Sequence, residues 1–203
     1  EWERRLALFS RTLEEWMSVQ RLWLYLEQIF ATPDIQRQLI FENKTFIDVN
    51  RQWVNLMRSV EDKPNALKAG TAQGVLQTLQ FCNLSLERIQ KSLEEYLETK
   101  RLIFPRFYFL GNDELLEILA KSKNPDAVQT HLDKLFGNIR SLDIVTPPKQ
   151  PPTVQSMTSA EGETVQMPKN VRARGPLEQW LGSVEQGMND TVKKHLKHGL
   201  SDS

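Results

Sequence analysis

Apolar residues fall along the first thirty positions in a repeating rhythm of threes and fours. Trp2, Phe9, Trp16, Trp23 and Phe30 recur every seven residues, and Leu6, Leu13, Val19 and Leu26 fill the intermediate places. That spacing predicts one continuous apolar stripe on a long helix. Thr32-Pro33 reads as an N-cap followed by proline at the first helical position, opening a short helix with Ile35, Leu39 and Ile40. A third helix begins near Lys44 and sets Phe46, Val49, Trp53, Leu56 and Val60 on one face, until Glu61-Asp62-Lys63-Pro64 breaks it. From about Ala66 a long helix carries Val75, Leu79, Cys82, Leu86, Ile89, Leu93 and Tyr96 in steps of four and three. Gly70 and Gly74 weaken its first turns by ~1 kcal/mol each against alanine, or admit a neighbour at close range. Pro105 ends this helix no later than Phe104.

The rhythm then changes. Arg106-Phe107-Tyr108-Phe109-Leu110 is a short aromatic run closed by Gly111-Asn112 and reads as a brief buried extended segment. Two compact helices follow, one with Leu115, Leu116, Ile118 and Leu119, the other starting at Asn124-Pro125 with Val128, Leu132, Leu135 and Phe136. Gly137 suits the position just past the end of that helix. Ile139 to Val145 predicts a strand, and Pro147-Pro148 with Pro151-Pro152 forms a stiff loop that cannot continue a sheet. Val154 to Ser159 and Glu163 to Met167 flank the turn Ala160-Glu161-Gly162, which predicts a small antiparallel hairpin. Pro176 opens a last helix with Leu177, Trp180, Leu181, Val184 and Met188 inward, and Leu200 to Ser203 is expected to fray. The expected fold is mostly α, an elongated helical bundle with a small antiparallel β-hairpin near the C-terminal third. It divides into a helical bundle at 1–104, compact bridging helices at 105–137, and a hairpin with a closing helix at 138–203.

Composition adds exclusions. Hydrophobic residues make up 39% of the 203, and 26 basic side chains balance 26 acidic ones. A core is within reach, but no net field draws the chain to nucleic acid or to a membrane, and neither is an expected partner. The single cysteine, Cys82, rules out an intramolecular disulfide and fits a reducing compartment. No apolar run approaches the ~20 residues that span a bilayer. The start, Glu1-Trp2-Glu3-Arg4-Arg5, has neither an initiator methionine nor a signal pattern and is already in helical rhythm, as expected of a piece of a longer polypeptide.

Candidate chemistry is sparse. A phosphate cradle needs a Gly-Lys-Ser/Thr sequence. Gly70-Thr71-Ala72-Gln73-Gly74 comes nearest, lacks the lysine, and reads as helix with two small residues. His195 and His198 stand three apart among Lys193, Lys194 and Lys197, which reads as a solvated basic helix end rather than a metal pair. His131 reads as a surface residue, and Cys82 as core rather than nucleophile. Glu14-Glu15, Glu94-Glu95 and Asp113-Glu114 read as solvated carboxylates, the last pair also suiting a helix N-terminus. The aromatic heptad resembles a base-stacking platform only superficially, because one helical stripe is a packing surface. No catalytic, cofactor-binding or metal-binding residue is assigned, and Trp16, Trp23, Phe30, Trp53 and Trp180 are assigned to the structural core.

Two segments carry a family resemblance. Trp16 to Phe30, with Val19-Gln20, Trp23, Tyr25-Leu26-Glu27 and Ile29-Phe30, resembles the W-x-x-V-Q-x-x-W-x-Y-L-E-x-I-F signature of dynein heavy-chain linkers. Phe46 and Trp53 fall where that family places a phenylalanine and a tryptophan. Lys100-Arg101 and Phe104-Pro105-Arg106-Phe107-Tyr108-Phe109-Leu110, continuing through Asp113-Glu114-Leu115-Leu116-Glu117-Ile118-Leu119, is similar to a second family signature. Ser122-Lys123-Asn124-Pro125, His131-Leu132, the Ser159 to Glu163 turn and Trp180-Leu181 extend the likeness, whereas the proline-rich loop from Thr146 to Pro152 departs from it. The wording is closer to axonemal than to cytoplasmic heavy chains.

The resemblance implies a mechanical linker, or lever, that precedes the first AAA+ module and arches over the ring of the same heavy chain. ATP and Mg would act in the parent motor and no cofactor in these residues; the parent is expected to be an ATPase moving on microtubules, and these residues not an enzyme. The implied location is cytoplasmic and cytoskeletal, in the axoneme of a cilium or flagellum. A lever bends at helix breaks, so the candidate hinge and coupling residues are Pro64, with Lys63, and Phe104, Pro105, Arg106, Phe107, Tyr108 and Phe109. The alternative is a stand-alone helical scaffold that docks a protein partner.

Overall fold

In the computed structural model, which describes residues 1–122 and 124–201, the first thirty residues form one helix, α1 (Trp2–Phe30), but its apolar positions divide between two faces. Thr12, Val19, Leu26 and Phe30 are buried, with Phe9, Trp16 and Trp23 half-buried beside them. Trp2, Leu6 and Leu13, expected on the same stripe, are exposed, as are Met17 and Leu24. Leu6, Leu13, Met17 and Leu24 are spaced by seven, four and seven and so share a helical face of their own.

The chain separates into a first unit, Glu1–Glu95, and a second that starts at Tyr96. In the first unit α1 runs against α3 (Ile40–Asp62), with α2 (Pro33–Gln38) as the connecting turn. Aromatic rings join the two long helices. Trp53 of α3 meets Trp16 edge-on at 6.0 Å and Trp23 at 6.2 Å, and Phe46 stacks on Phe30 at 5.2 Å. Residue numbers rise along α1 as they fall along α3, so the pairing is antiparallel. Trp23, half-buried, keeps its ring N–H satisfied by donating to Asn50 Oδ1 at 2.9 Å. The third helix begins at Ile40 rather than Lys44, because Leu39 is the buried residue that ends α2 and caps α3.

The expected helix from Ala66 is two helices, α4 (Ala66–Gly70) and α5 (Val75–Ile103). Gly74 adopts φ +84°, a left-handed turn that interrupts the ladder. Gly70 has a packing role: a Cβ there would stand 2.6 Å from the Phe9 ring. Along α5, Leu79, Cys82, Leu86, Ile89 and Leu93 are buried as their spacing predicts. Ser92 donates to Glu42 at 2.6 Å, and the Asn83 amide donates to the Glu15 carbonyl at 3.2 Å and to the Glu15 carboxylate. Burial pushes the Cys82 thiol up to about 11.

In the second unit the end of α5 leads through a 3₁₀ turn (Pro105–Phe109) to α6 (Asn112–Ala120). A second 3₁₀ turn (Pro125–His131) and the single turn α7 (Leu132–Leu135) follow. The left-handed residue after α7 is Asn138, φ 66°, and not Gly137; asparagine tolerates that region through its short polar side chain. Three antiparallel strands follow in the order β1-β2-β3: β1 (Ile139–Val145), β2 (Thr153–Ser159) and β3 (Thr164–Arg172). The third strand outruns the expected Met167 by passing through Pro168, which an edge strand accepts where the register shifts between Val154 and Ser156. Gln129 covers the free edge of β1, its amide exchanging bonds of 2.7 and 3.1 Å with the Leu142 carbonyl and N–H. The closing helix α8 (Leu177–Ser201) lies on β3 and buries Leu177, Trp180, Leu181, Val184 and Met188. A Cβ at Gly187 would stand 3.3 Å from Val171 and 3.4 Å from Met167, so the helix approaches the strand where it has no side chain. Leu200 and Ser201 are helical rather than frayed; Lys123, Asp202 and Ser203, which the sequence reading touched, lie outside the described residues.

Truncating Trp53 removes the ring that both α1 tryptophans contact. In denaturant titrations, Trp53→Ala is expected to lower the unfolding free energy of the first unit by about 3–5 kcal/mol. The exposed Trp2→Ala control is expected to shift it by less than ~0.5 kcal/mol.

Candidate functional site

The junction from Lys100 to Leu110 holds all the candidate hinge and coupling residues except Pro64 and its neighbour Lys63. Pro105 cannot donate within α5, so the helix stops at Ile103 and Phe104 turns extended at φ −129°, ψ 92°. The next residues form a 3₁₀ turn rather than the extended segment expected from the aromatic run. A 3₁₀ turn eclipses every third side chain. Phe104, Phe107 and Leu110 therefore line up inward and are all buried, while Tyr108 and Phe109 point outward at 53% and 67% exposure. Phe107 packs edge-on against Phe104 at 5.0 Å, and Phe136 closes the cluster at 6.2 Å from Phe104.

Each cation of the segment has a structural partner. Lys100 Nζ donates to Glu178 Oε1 of α8 at 2.6 Å. The Glu178 side chain is 4% exposed, and its second oxygen has no hydrogen-bond partner. Tyr96 is pushed up to about 12, first by burial and then by the negative charge of Glu178. Arg106 donates from Nε to Glu185 of α8 at 2.8 Å and from Nη1 to the Leu135 carbonyl at 2.9 Å, with its guanidinium 5.1 Å over the Phe136 ring. Arg101 donates to Asn112 Oδ1 at 2.8 Å and to the Leu110 carbonyl at 3.3 Å, and lies 5.9 Å over the ring of Tyr108, whose hydroxyl donates to Glu98. Thus α5, the 3₁₀ turn, α6, α7 and α8 are tied at one junction.

Pro64 belongs to the other unit. It sits between α3 and α4 in an exposed stretch from Glu61 to Ala66. Among the residues assigned to the core, Phe30, Trp53 and Trp180 are buried, whereas Trp16 and Trp23 are half-buried. Glu178 and Glu185 were not singled out from sequence. The available signal was a glutamate at 178 directly following Leu177 on the inward stripe of a helix, where a charge needs a partner.

His131 is buried rather than at the surface, with its ring nitrogens each 3.7 Å from a carboxylate, Glu114 and Glu117. Lys134, then the Gly111 N–H, holds Glu114 below the usual carboxylate range, and Lys121 does the same for Glu117. Among the described residues, no group of three His, Cys, Asp or Glu side chains is placed to hold a metal ion, and no helix is long and apolar enough to cross a membrane.

Comparison with known proteins matches residues 1–199 to the family described as "Dynein heavy chain, N-terminal region 2". The chain is 49% identical over 217 residues to "Dynein axonemal heavy chain 6" of Homo sapiens, covering 100% of this chain and 5% of that protein. It is 47% identical over 199 residues to "Dynein axonemal heavy chain 2" of Homo sapiens, covering 97% of this chain and 4% of the relative. It is 45% identical over 205 residues to "Dynein-1-beta heavy chain, flagellar inner arm I1 complex" of Chlamydomonas reinhardtii, covering 100% of this chain and 4% of the relative. The chain thus spans about one-twentieth of the length of these relatives.

Removing one partner of a buried ion pair leaves an uncompensated charge. Lys100→Ala is expected to destabilise the second unit by roughly 3–5 kcal/mol, and Lys100→Met with Glu178→Leu to recover most of the loss, measured by denaturant unfolding. Glu114 has a folded pKa below its ordinary value, so its contribution is present above about pH 4.5 and is lost as the pH falls below that. Glu114→Gln should flatten that part of the acid limb when unfolding midpoints are compared between pH ~5 and pH ~3.

Proposed function

The chain belongs to the dynein heavy-chain family, and we propose that in its parent protein it is a segment of the mechanical linker, a lever that converts ATP-driven changes of the AAA+ ring into microtubule-based movement. The parent would be an ATP-driven axonemal motor of cilia or flagella, as the names of the relatives suggest for those proteins. ATP would be handled by AAA+ modules elsewhere in the heavy chain, and these residues would transmit force rather than catalyse.

The observation that carries the reading is the junction from Lys100 to Leu110. Its cations and its inward aromatics bind five elements together, so force applied to one of them is shared by the others. Its outward pair, Tyr108 and Phe109, remains exposed on that rigid base. A rigid base with exposed aromatics suits contact with a moving surface, because the aromatics lose little conformational freedom on docking. We assign coupling to Tyr108 and Phe109 and stiffness to Phe104, Arg106 and Phe107. The connection around Pro64 is exposed, but α4 and α5 beyond it are held to α1 and α3 through Gly70 against Phe9, Asn83 with Glu15 and Ser92 with Glu42, so bending is not assigned to it.

A second reading, a helical scaffold that docks a protein partner on its own, draws on the exposed apolar face of α1 at Leu6, Leu13, Met17 and Leu24. The two differ in what the isolated chain does: a scaffold binds its partner alone, and a lever is silent without its motor.

Phe109→Ala in the whole heavy chain tests the lever. Microtubule gliding is expected to slow severalfold while ATP turnover changes by less than about twofold, since the exposed ring is not part of the core. Equal loss of both would count against coupling at this surface.

A further inference from the structure

The turn that follows α6 shares a pocket with two cations. Ser122 lines this pocket, about 570 Å³ in volume, together with Lys149 of the β1–β2 loop and Arg174 of the link between β3 and α8, and no described carboxylate lines it. Both cations are exposed and Ser122 is half-buried. Among the described residues none of these three side chains has a hydrogen-bond or ion-pair partner. All three belong to the second unit.

Backbone hydrogen bonds hold the walls of the pocket. The Ala173 N–H donates to the Pro152 carbonyl at 2.8 Å, which ties the segment carrying Arg174 to the end of the loop carrying Lys149. Within that loop the Gln150 N–H donates to the Pro147 carbonyl at 3.2 Å and closes a turn with Pro148 and Lys149 at its centre. Lys149 adopts φ 64° there, at a position of the turn that glycine fills without strain. The lysine accepts the strained backbone and contributes a charge to the pocket that glycine would not. Uncompensated positive charge from two separate segments therefore lines the pocket that the Ser122 hydroxyl shares.

We propose that Ser122 is a phosphorylation site whose phosphate is seated by Lys149 and Arg174. A serine kinase transfers the γ-phosphoryl group of ATP: the bond from Ser122 Oγ to phosphorus forms, the bond from that phosphorus to the ADP oxygen breaks, and the hydroxyl proton passes to a base of the kinase. The product carries about two negative charges and three acceptor oxygens. The two cations match that charge, and their N–H groups make charge-assisted hydrogen bonds to it. Ser122 stands in a turn outside the regular helix, next in sequence to Lys121 and Lys123, a setting that suits a kinase with an acidic substrate groove. Phosphorylation thus fastens the end of α6 to the β1–β2 loop and to the link that enters α8. The inference rests on this pocket and not on the lever reading, so each can fail without the other.

The test has two arms, both on the intact heavy chain. Peptide mass spectrometry of the chain isolated from its own cells under phosphatase inhibitors is expected to find phosphate on Ser122. In the second arm phosphoserine is encoded at position 122 and hydrogen exchange is followed in the peptides covering 146–152 and 173–175. Exchange there is expected to slow at least about threefold against the unmodified chain, as new bonds to a phosphate order both segments. Lys149→Gln with Arg174→Gln should abolish the slowing, and Lys193→Gln with Lys197→Gln, which removes as much charge elsewhere, should leave it intact. All four substitutions are at exposed positions, so folding is not at stake. Recovery of Ser122 in the unmodified form only would overturn the proposal. So would exchange that phosphoserine leaves unchanged, or that it slows equally without Lys149 and Arg174.

Discussion

The carboxylate of Glu178 lies out of water, and the arrangement of the second unit depends on what compensates it. Lys100 does so at 2.6 Å. A pair of this kind contributes little net stability, because desolvating both ions offsets most of their attraction. What it supplies is register. Glu178 and Glu185 are seven residues apart on α8, about 10.5 Å at 1.5 Å per residue, and they meet Lys100 and Arg106, which flank the proline that ends α5. A slip of α8 by one turn would strand both carboxylates, one of them buried. The helix therefore has one seat on its neighbours, even though an apolar stripe alone would accept several.

The two units solve the problem of holding helices together differently. In the first, α1 and α3 meet through a set of flat rings, Trp16, Trp23 and Phe30 against Trp53 and Phe46, oriented by an indole hydrogen bond, and neutral donors at Asn83 and Ser92 tie α5 to them. In the second, two arginines and a lysine act across five elements, and rings fill the space beneath them. Large rings tolerate small adjustments of tilt, whereas ion pairs at fixed positions do not. The stricter joint is at the signature segment, where the exposed Tyr108 and Phe109 are presented.

Periodicity exposed much of this fold in the sequence. The inward positions of α5, α6 and α8 follow directly from steps of three and four, and the strands from alternation between turn residues. Where the reading failed, the missing information was long-range. Leu6 and Leu13 obey the same rhythm as Val19 and Leu26, and nothing local says which of two apolar faces finds a partner. Gly74 breaks a helix that its neighbours would continue, and only its left-handed φ reveals this. The run from Arg106 to Leu110 looks like a strand because aromatic residues favour strands. Pro105 instead starts a 3₁₀ turn whose period of three buries Phe107 and frees Phe109. The signature drew attention to the segment from Lys100 to Leu110, but the acids that pair with its cations, Glu178 and Glu185, are some eighty residues away and show no local mark beyond their nearness to an apolar stripe.

Cys82 has a practical consequence. It is the single cysteine in 203 residues, it is buried between α5 and its neighbours, and its thiol is pushed up to about 11. Thiol-directed dyes attack through the thiolate, which at neutral pH amounts to about one part in 10⁴ for such a group. This stretch of polypeptide is thus chemically blank toward maleimides while folded. Two cysteines introduced at exposed positions of one unit would take the labels in place of Cys82, so the distance between them becomes measurable without first removing the native thiol.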